Sequence, residues 1–317
     1  MSAIQIPYPI GTAGIAWGDS ERALWLASQT KQRSYALDVL SKIVELQTHF
    51  ETCEYGQIDY GAERYPLVAL KSLHWQHQKP VVLVTGGVHG YETSGVHGAL
   101  AFLAHSASAW TAQVNLLVVP CVSPWAYERV NRWNAQAIDP NRSFKLGGTA
   151  AESLALMRLI APYESDFSRP ARESQIVLHV DLHETTDTDE SEFRPALAAR
   201  DGKPFEPGLI PDGFYLVGDV DKPELAFQQA VLAEVAKVTH IAPADANGEI
   251  IGATVVAPGV ILYPCKPLGL CAGMTNAKFV STTEVYPDSK QSTPEQCNSA
   301  QVAAINGAIS YALANQS

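Results

Sequence analysis

Three short runs rich in apolar residues constrain this chain more than any other feature. They cover residues 81–85, 114–120 and 175–182. A half-buried strand alternates apolar and polar side chains, whereas a strand covered on both faces reads as a continuous apolar run. Segments 92–104, 150–160, 223–238 and 294–314 read as helices between and after these strands. Strands alternating with helices imply an α/β fold with a largely parallel sheet between helical layers. Residues 53–60 and 66–71 alternate as further strands, and short ones are expected at 214–217, 254–256, 260–263 and 278–283. A helical period runs over 33–50, and residues 1–32 show no clear pattern. Residues 121–148 read as a long polar loop, a kind that is usually functional inside a compact domain.

Charge and composition exclude several partners. The net charge is −11 with no Lys/Arg-rich run, so no basic face is available for a nucleic-acid backbone or an anionic membrane. No stretch reaches the length and apolarity of a membrane span. The N-terminus has no basic region followed by an apolar one, so no leader is expected. The five cysteines are odd in number and scattered without a CxxC pair. They read as small buried hydrophobes in a reducing compartment, and the expected location is cytoplasmic.

The first apolar run ends in Gly86-Gly87-Val88-His89-Gly90-Tyr91-Glu92, which puts an imidazole and a carboxylate at the carboxyl end of a strand. Open α/β sheets keep their chemistry there. Zinc hydrolases commonly hold the ion with two histidines and one carboxylate, leaving a position for water. The third ligand should come from another strand end, and the third run closes on Asp181-Leu182-His183. Between them lies Arg132-Trp133-Asn134, followed by Asp139-Pro140-Asn141-Arg142-Ser143-Phe144. An arginine fork matches a carboxylate or an oxyanion. Asp139 suits the second nitrogen of a metal-bound histidine. Glu284 sits near the tip of a late strand, where a carboxylate serves as general base.

This ordered set resembles the zinc carboxypeptidase superfamily, whose founder is carboxypeptidase A, over roughly residues 80–290. The Arg-x-Asn-Ala-x-x-x-Asp-x-Asn-Arg-x-Phe motif is its most specific piece. The resemblance implies a three-layer α/β/α fold with a mixed, mostly parallel sheet of about eight strands. It implies one Zn2+, rather than two, on His89, Glu92 and His183. Arg132 resembles the arginine that stabilises the oxyanion, and Asn141 with Arg142 the pair that grips the terminal carboxylate. Glu284 resembles the base, and Asp139 the partner of the first histidine. Tyr263 lies at about the right distance before Glu284 to be the substrate-capping tyrosine. Residues 1–50 are then a helical extension, and 51–317 the catalytic domain. Pro140 and Ser143 depart from the family's usual Leu and Asn without touching the functional positions.

The implied activity is a zinc metallo-carboxypeptidase that cleaves a peptide or amide bond next to a free carboxylate. Two alternatives stay open. The aspartoacylase and succinylglutamate desuccinylase branch shares the Asp-Leu-His strand end and deacylates N-acyl amino acids. The murein-peptide amidases resemble this chain in the nine-position spacing from Arg132 to Asn141. A binding module without catalysis would be expected to lack a ligand or the base, and none is lacking. No aspartate stands at 268–270, where basic-specific members carry one. Asn134 is read as shaping its loop, His74 and His77 as solvated, and His179 as support for the site. Residues 184–192 are strongly acidic. They read as a solvated loop or as an electrostatic filter for cationic substrates built from Asp187, Asp189 and Glu190.

Overall fold

The three apolar runs lie side by side in the middle of one sheet. The computed structural model describes residues 8–164 and 174–315, so the first seven residues, read above for a leader, lie outside it. Its strands are β1 (Phe50–Tyr60), β2 (Glu63–Ser72), β3 (Val81–Gly86), β4 (Asn115–Val119) and β5 (Ile176–Glu184), then β6 (Tyr215–Asp219), β7 (Glu249–Ile250), β8 (Ala253–Thr254), β9 (Val260–Tyr263) and β10 (Phe279–Val285). The β7–β8 pair is a separate hairpin, and the other strands form an eight-stranded sheet in the order β1-β2-β4-β3-β5-β10-β6-β9. Pairs β4–β3, β3–β5, β5–β10 and β6–β9 are parallel; β1–β2, β2–β4 and β10–β6 are antiparallel. The sheet is therefore mixed and mostly parallel, as expected from the sequence.

The helices are α1 (Asp19–Ser28), α2 (Ser41–Leu46), α3 (Thr93–His105), α4 (Pro124–Arg129), α5 (Ala151–Ile160), α6 (Arg194–Asp201), α7 (Leu225–Val235), α8 (Cys265–Leu268) and α9 (Pro294–Ala314). Side chains alternate across a strand, so each central strand feeds both layers. Val82 and Val84 pack with α3, α7 and α9. Val81 and Leu83 pack with α5 and α8 on the other face. Thr293 and Gln296 exchange the reciprocal bonds of a capping box at the start of α9.

Three segments differ from the sequence reading. The 33–50 helix is shorter: a π-type turn at Ala36–Leu40 runs into α2, and β1 already begins at Phe50. Residues 19–28, which showed no pattern, form α1 with one buried residue, Trp25, against Trp125 and Trp133. The apolar residues of α1, Ala23 to Ala27, stand consecutively rather than at a repeating helical spacing. The 121–148 stretch is not a polar surface loop. It holds α4 and a 3-10 turn at Pro140–Arg142, and it buries Trp125, Tyr127, Trp133 and Asn134. Asn131, Asn134, Asp139 and Asn141 make hydrogen bonds inside the protein.

Candidate metal centre

Glycine at the end of β3 is what admits the site. A Cβ on Gly86 would lie 2.4 Å from the Gly95 carbonyl oxygen of α3. Gly87 has φ +61°, and a Cβ there would lie 2.7 Å from Val96. The chain can therefore turn sharply out of the strand only with glycines at these positions. The turn delivers His89, and Glu92 stands at the N-cap of α3. Glu184 of β5 accepts hydrogen bonds from Thr93 N (3.1 Å) and Ser94 N (2.7 Å), tying this helix start to the strand of His183. Gly86 pairs with Leu182 in the parallel β3–β5 ladder, so His183 arrives beside it.

One donor atom from each of His89, Glu92 and His183 lies within 4.8 Å of the others, and all three residues are buried. His89 Nδ1 is 2.7 Å from Glu92 Oε1, and His183 Nδ1 is 2.7 Å from Glu92 Oε2. The second contact lacks hydrogen-bond geometry, so Glu92 Oε2 is left without a hydrogen-bond partner. A buried carboxylate oxygen beside an imidazole nitrogen, with no hydrogen bond between them, suits a shared cation. The far nitrogens support this. His89 Nε2 faces Asp139 Oδ1 at 3.0 Å, and His183 Nε2 faces Asp181 Oδ2 at 2.8 Å. A carboxylate on Nε2 holds the proton there and leaves the Nδ1 lone pair for a metal. Two imidazoles and one carboxylate fit zinc. Burial raises the Glu92 pKa, but the two histidines outweigh it and bring it down to about 2.

The other predicted residues surround the same cavity of about 410 Å³, which Asp139, Arg132, Asn141, Arg142 and Glu284 line together with the three ligand candidates. Asp139 Oδ1 also accepts from Asn141 N, and its Oδ2 accepts from Arg132 Nε at 3.1 Å. Asn141 Oδ1 accepts from Cys271 N at 2.7 Å, which fixes the amide and leaves Nδ2 for a ligand. Asn134 bonds Glu152, Gln136 N and Ile138 N, so it shapes the loop. Arg142 lines the cavity and stays solvent-exposed at its mouth. Desolvation, with Arg132 and Arg200, outweighs Asp139 and lowers its pKa. Its Nη1 donates to the Asn141 carbonyl, and among the described residues it has no carboxylate within ion-pair distance.

Glu284 pairs with His183 across β10–β5 and with Tyr215 across β10–β6. Its Oε2 accepts from Thr185 Oγ1 at 2.8 Å, and Thr185 in turn contacts the Tyr215 hydroxyl at 2.7 Å. Burial is the main cause that pushes the Glu284 carboxyl up to about 8; His183 opposes it and Glu92 adds to it. Tyr263 also lines the cavity. His74 and His77 are exposed. His179 Nε2, Asp181 Oδ1 and Cys271 Sγ also converge, but Thr85 Oγ1 already bridges them at 3.0, 2.5 and 3.5 Å.

The sequence reading missed Thr185 and Tyr215 beside Glu284, Glu184 at the start of α3, and the bond from Asp181 to His183. Asp181 was detectable, because strand alternation puts positions 181 and 183 on one face. The acidic segment is also changed. Asp187 accepts from Tyr286, and Glu190 pairs with Arg194 and accepts from Gly208 N. Of the three carboxylates proposed as a filter, only Asp189 lines the cavity.

Solved structures share this architecture. A Shewanella denitrificans protein assigned as a metallopeptidase is 19% identical, with a TM-score of 0.62 over 86% of this chain and 88% of that one. This chain has a carboxypeptidase-like α/β fold. A metallo-carboxypeptidase from Burkholderia cenocepacia is 14% identical, with a TM-score of 0.58 over 95% of this chain and 70% of that one. Carboxypeptidase A from Helicoverpa armigera is 14% identical, with a TM-score of 0.56 over 96% and 75%. No family model and no curated protein matches the sequence.

Proposed function

We propose that the protein is a zinc-dependent amide hydrolase of the metallo-carboxypeptidase type, acting next to a free carboxylate. The observation that carries this reading is Arg142, a guanidinium that lines the cavity of the three-ligand cluster and has no carboxylate partner among the described residues. An exposed guanidinium at the cavity mouth offers its planar fork to an anionic ligand such as a carboxylate. Arg142 and the free Nδ2 of Asn141 would grip the substrate carboxylate and place the adjoining amide near Glu284.

His89, Glu92 and His183 would hold the zinc ion, which when bound supplies Lewis acidity toward water and the scissile carbonyl. A cation beside Glu92 favours the ionised form of Glu284 and offsets its raised pKa. Glu284 then takes a proton from the attacking water as the C–O bond forms. Arg132 stabilises the negative charge that develops on the carbonyl oxygen. As the C–N bond breaks, the proton passes from Glu284 to the leaving amine.

Hydrolysis of small N-acyl amino acids is a second reading. The Asp181-to-His183 bond supports it, because the Asp-Leu-His strand end is shared with that deacylase branch. A panel of N-acyl amino acids, peptides and cell-wall peptides, each with a free or an amidated carboxyl end, tests both. The proposal expects turnover only of free-acid members. Equal turnover of the amidated forms would remove the role of Arg142, and peptides unprocessed beside processed N-acyl amino acids would favour the second reading.

A further inference from the structure

Of the three carboxylates read as a filter, Asp189 alone lines the cavity, and it meets the arginine assigned to the oxyanion. Asp189 Oδ1 accepts from the Tyr91 hydroxyl at 2.8 Å and from Arg132 Nη1 at 3.3 Å. The Tyr91 hydroxyl itself accepts from Arg132 Nη1 at 3.0 Å. Asp189 Oδ2 accepts from Thr186 N at 2.8 Å, three residues beyond His183. Tyr91 is buried next to Glu92, and its ring stacks on His89 and packs on Phe193 at 4.4 Å between centroids.

We infer that Asp189 and Tyr91 are positioning residues that fix the Arg132 guanidinium for the transition state. The inference rests on the hydrolase reading above. A guanidinium is planar, so contacts on two of its nitrogens set the direction of the third. Asp139 holds Nε and the Asp189–Tyr91 pair holds Nη1, while Nη2 has no hydrogen bond among the described residues. Nη2 is therefore the nitrogen left to face the reacting oxygen. Asp189 also joins the Arg132 loop to the end of β5, so the arginine and the ligand His183 share one support. This assigns Asp189 to the reacting centre, where the filter reading would have it attract cationic substrates.

The test uses calorimetric titration of the zinc-loaded full chain as wild type, Asp189→Asn, Tyr91→Phe and Arg132→Ala. One ligand is a phosphonate analogue of an N-acyl dipeptide, with tetrahedral oxygens at the reacting centre and a free carboxylate. The other is the amino acid product, which carries only the carboxylate end. Asp189→Asn and Arg132→Ala are expected to weaken the phosphonate about 100-fold, and Tyr91→Phe about tenfold. The product should change by less than about twofold in each, because nothing acts on Nη2 in that complex. Adding Asp189→Asn to Arg132→Ala should cost nothing further, since no guanidinium remains to be positioned. Equal losses on both ligands, or an additive double variant, would overturn the inference. So would unchanged phosphonate binding by Tyr91→Phe, a variant that loses only a hydroxyl and serves if Asp189→Asn does not fold. A wild type that binds zinc but not the phosphonate would instead overturn the hydrolase reading itself.

Discussion

The sheet side of the cavity carries His183 and Glu284 on adjacent strand ends and His89 and Glu92 on the turn out of β3. The rest of the wall carries Arg132, Arg142 and Asp189 on loops and helical turns. On the sheet side a parallel ladder sets the spacing, and a carboxylate stands behind each histidine. On the wall side Arg132 is locked between Asp139 and Asp189, and Arg142 is left open. The comparison separates two tasks. The rigid side fixes where an ion and a base sit, and the wall decides what is admitted and how its charge is met.

Substitutions can break this division, and the largest effect is expected at Glu284. Glu284→Gln keeps the shape and removes the base, so turnover should fall about 10⁴-fold with zinc still bound at one ion per chain. Loss of zinc along with activity would show that the two tasks are not separate on the sheet side. Next comes the wall. Arg142→Ala should raise KM for free-carboxylate substrates about 100-fold and change kcat much less. A fall confined to kcat would move Arg142 from gripping to catalysis. The smallest effect is expected behind the ligands: Asp181→Asn should weaken zinc binding about 10- to 100-fold, because His183 loses the carboxylate that orients its ring. Unchanged zinc affinity in that variant would mean that β5 alone orients the ring.

The same division explains what could be read from the sequence. Strand-end residues announce themselves, since a buried apolar run followed by Gly86-Gly87 or by Asp181-Leu182 leaves few places for His89 and His183. Arg132, Asp139, Asn141 and Arg142 were readable because they sit close together in one motif. The wall's support was not readable. Asp189 reaches Arg132 across 57 positions of sequence, and the Asp189–Phe193 turn has no period to reveal it. The contact of Thr185 with Glu284 spans 99 positions. Register across β10–β5 creates it, and no local pattern encodes that register. Helix α1 was missed for another reason, because its apolar residues Ala23 to Ala27 stand consecutively and repeat at no helical spacing.

The central claim is that His89, Glu92 and His183 form one metal centre. Zinc titration of the metal-free protein, with metal counted per chain, tests it directly on wild type and on a variant carrying both His89→Ala and His183→Ala. The account predicts one tightly held zinc in the wild type and none in the double variant, with X-ray absorption showing two imidazole nitrogens at about 2.0–2.1 Å. An undiminished stoichiometry in the double variant, or no zinc binding by the wild type, would contradict it.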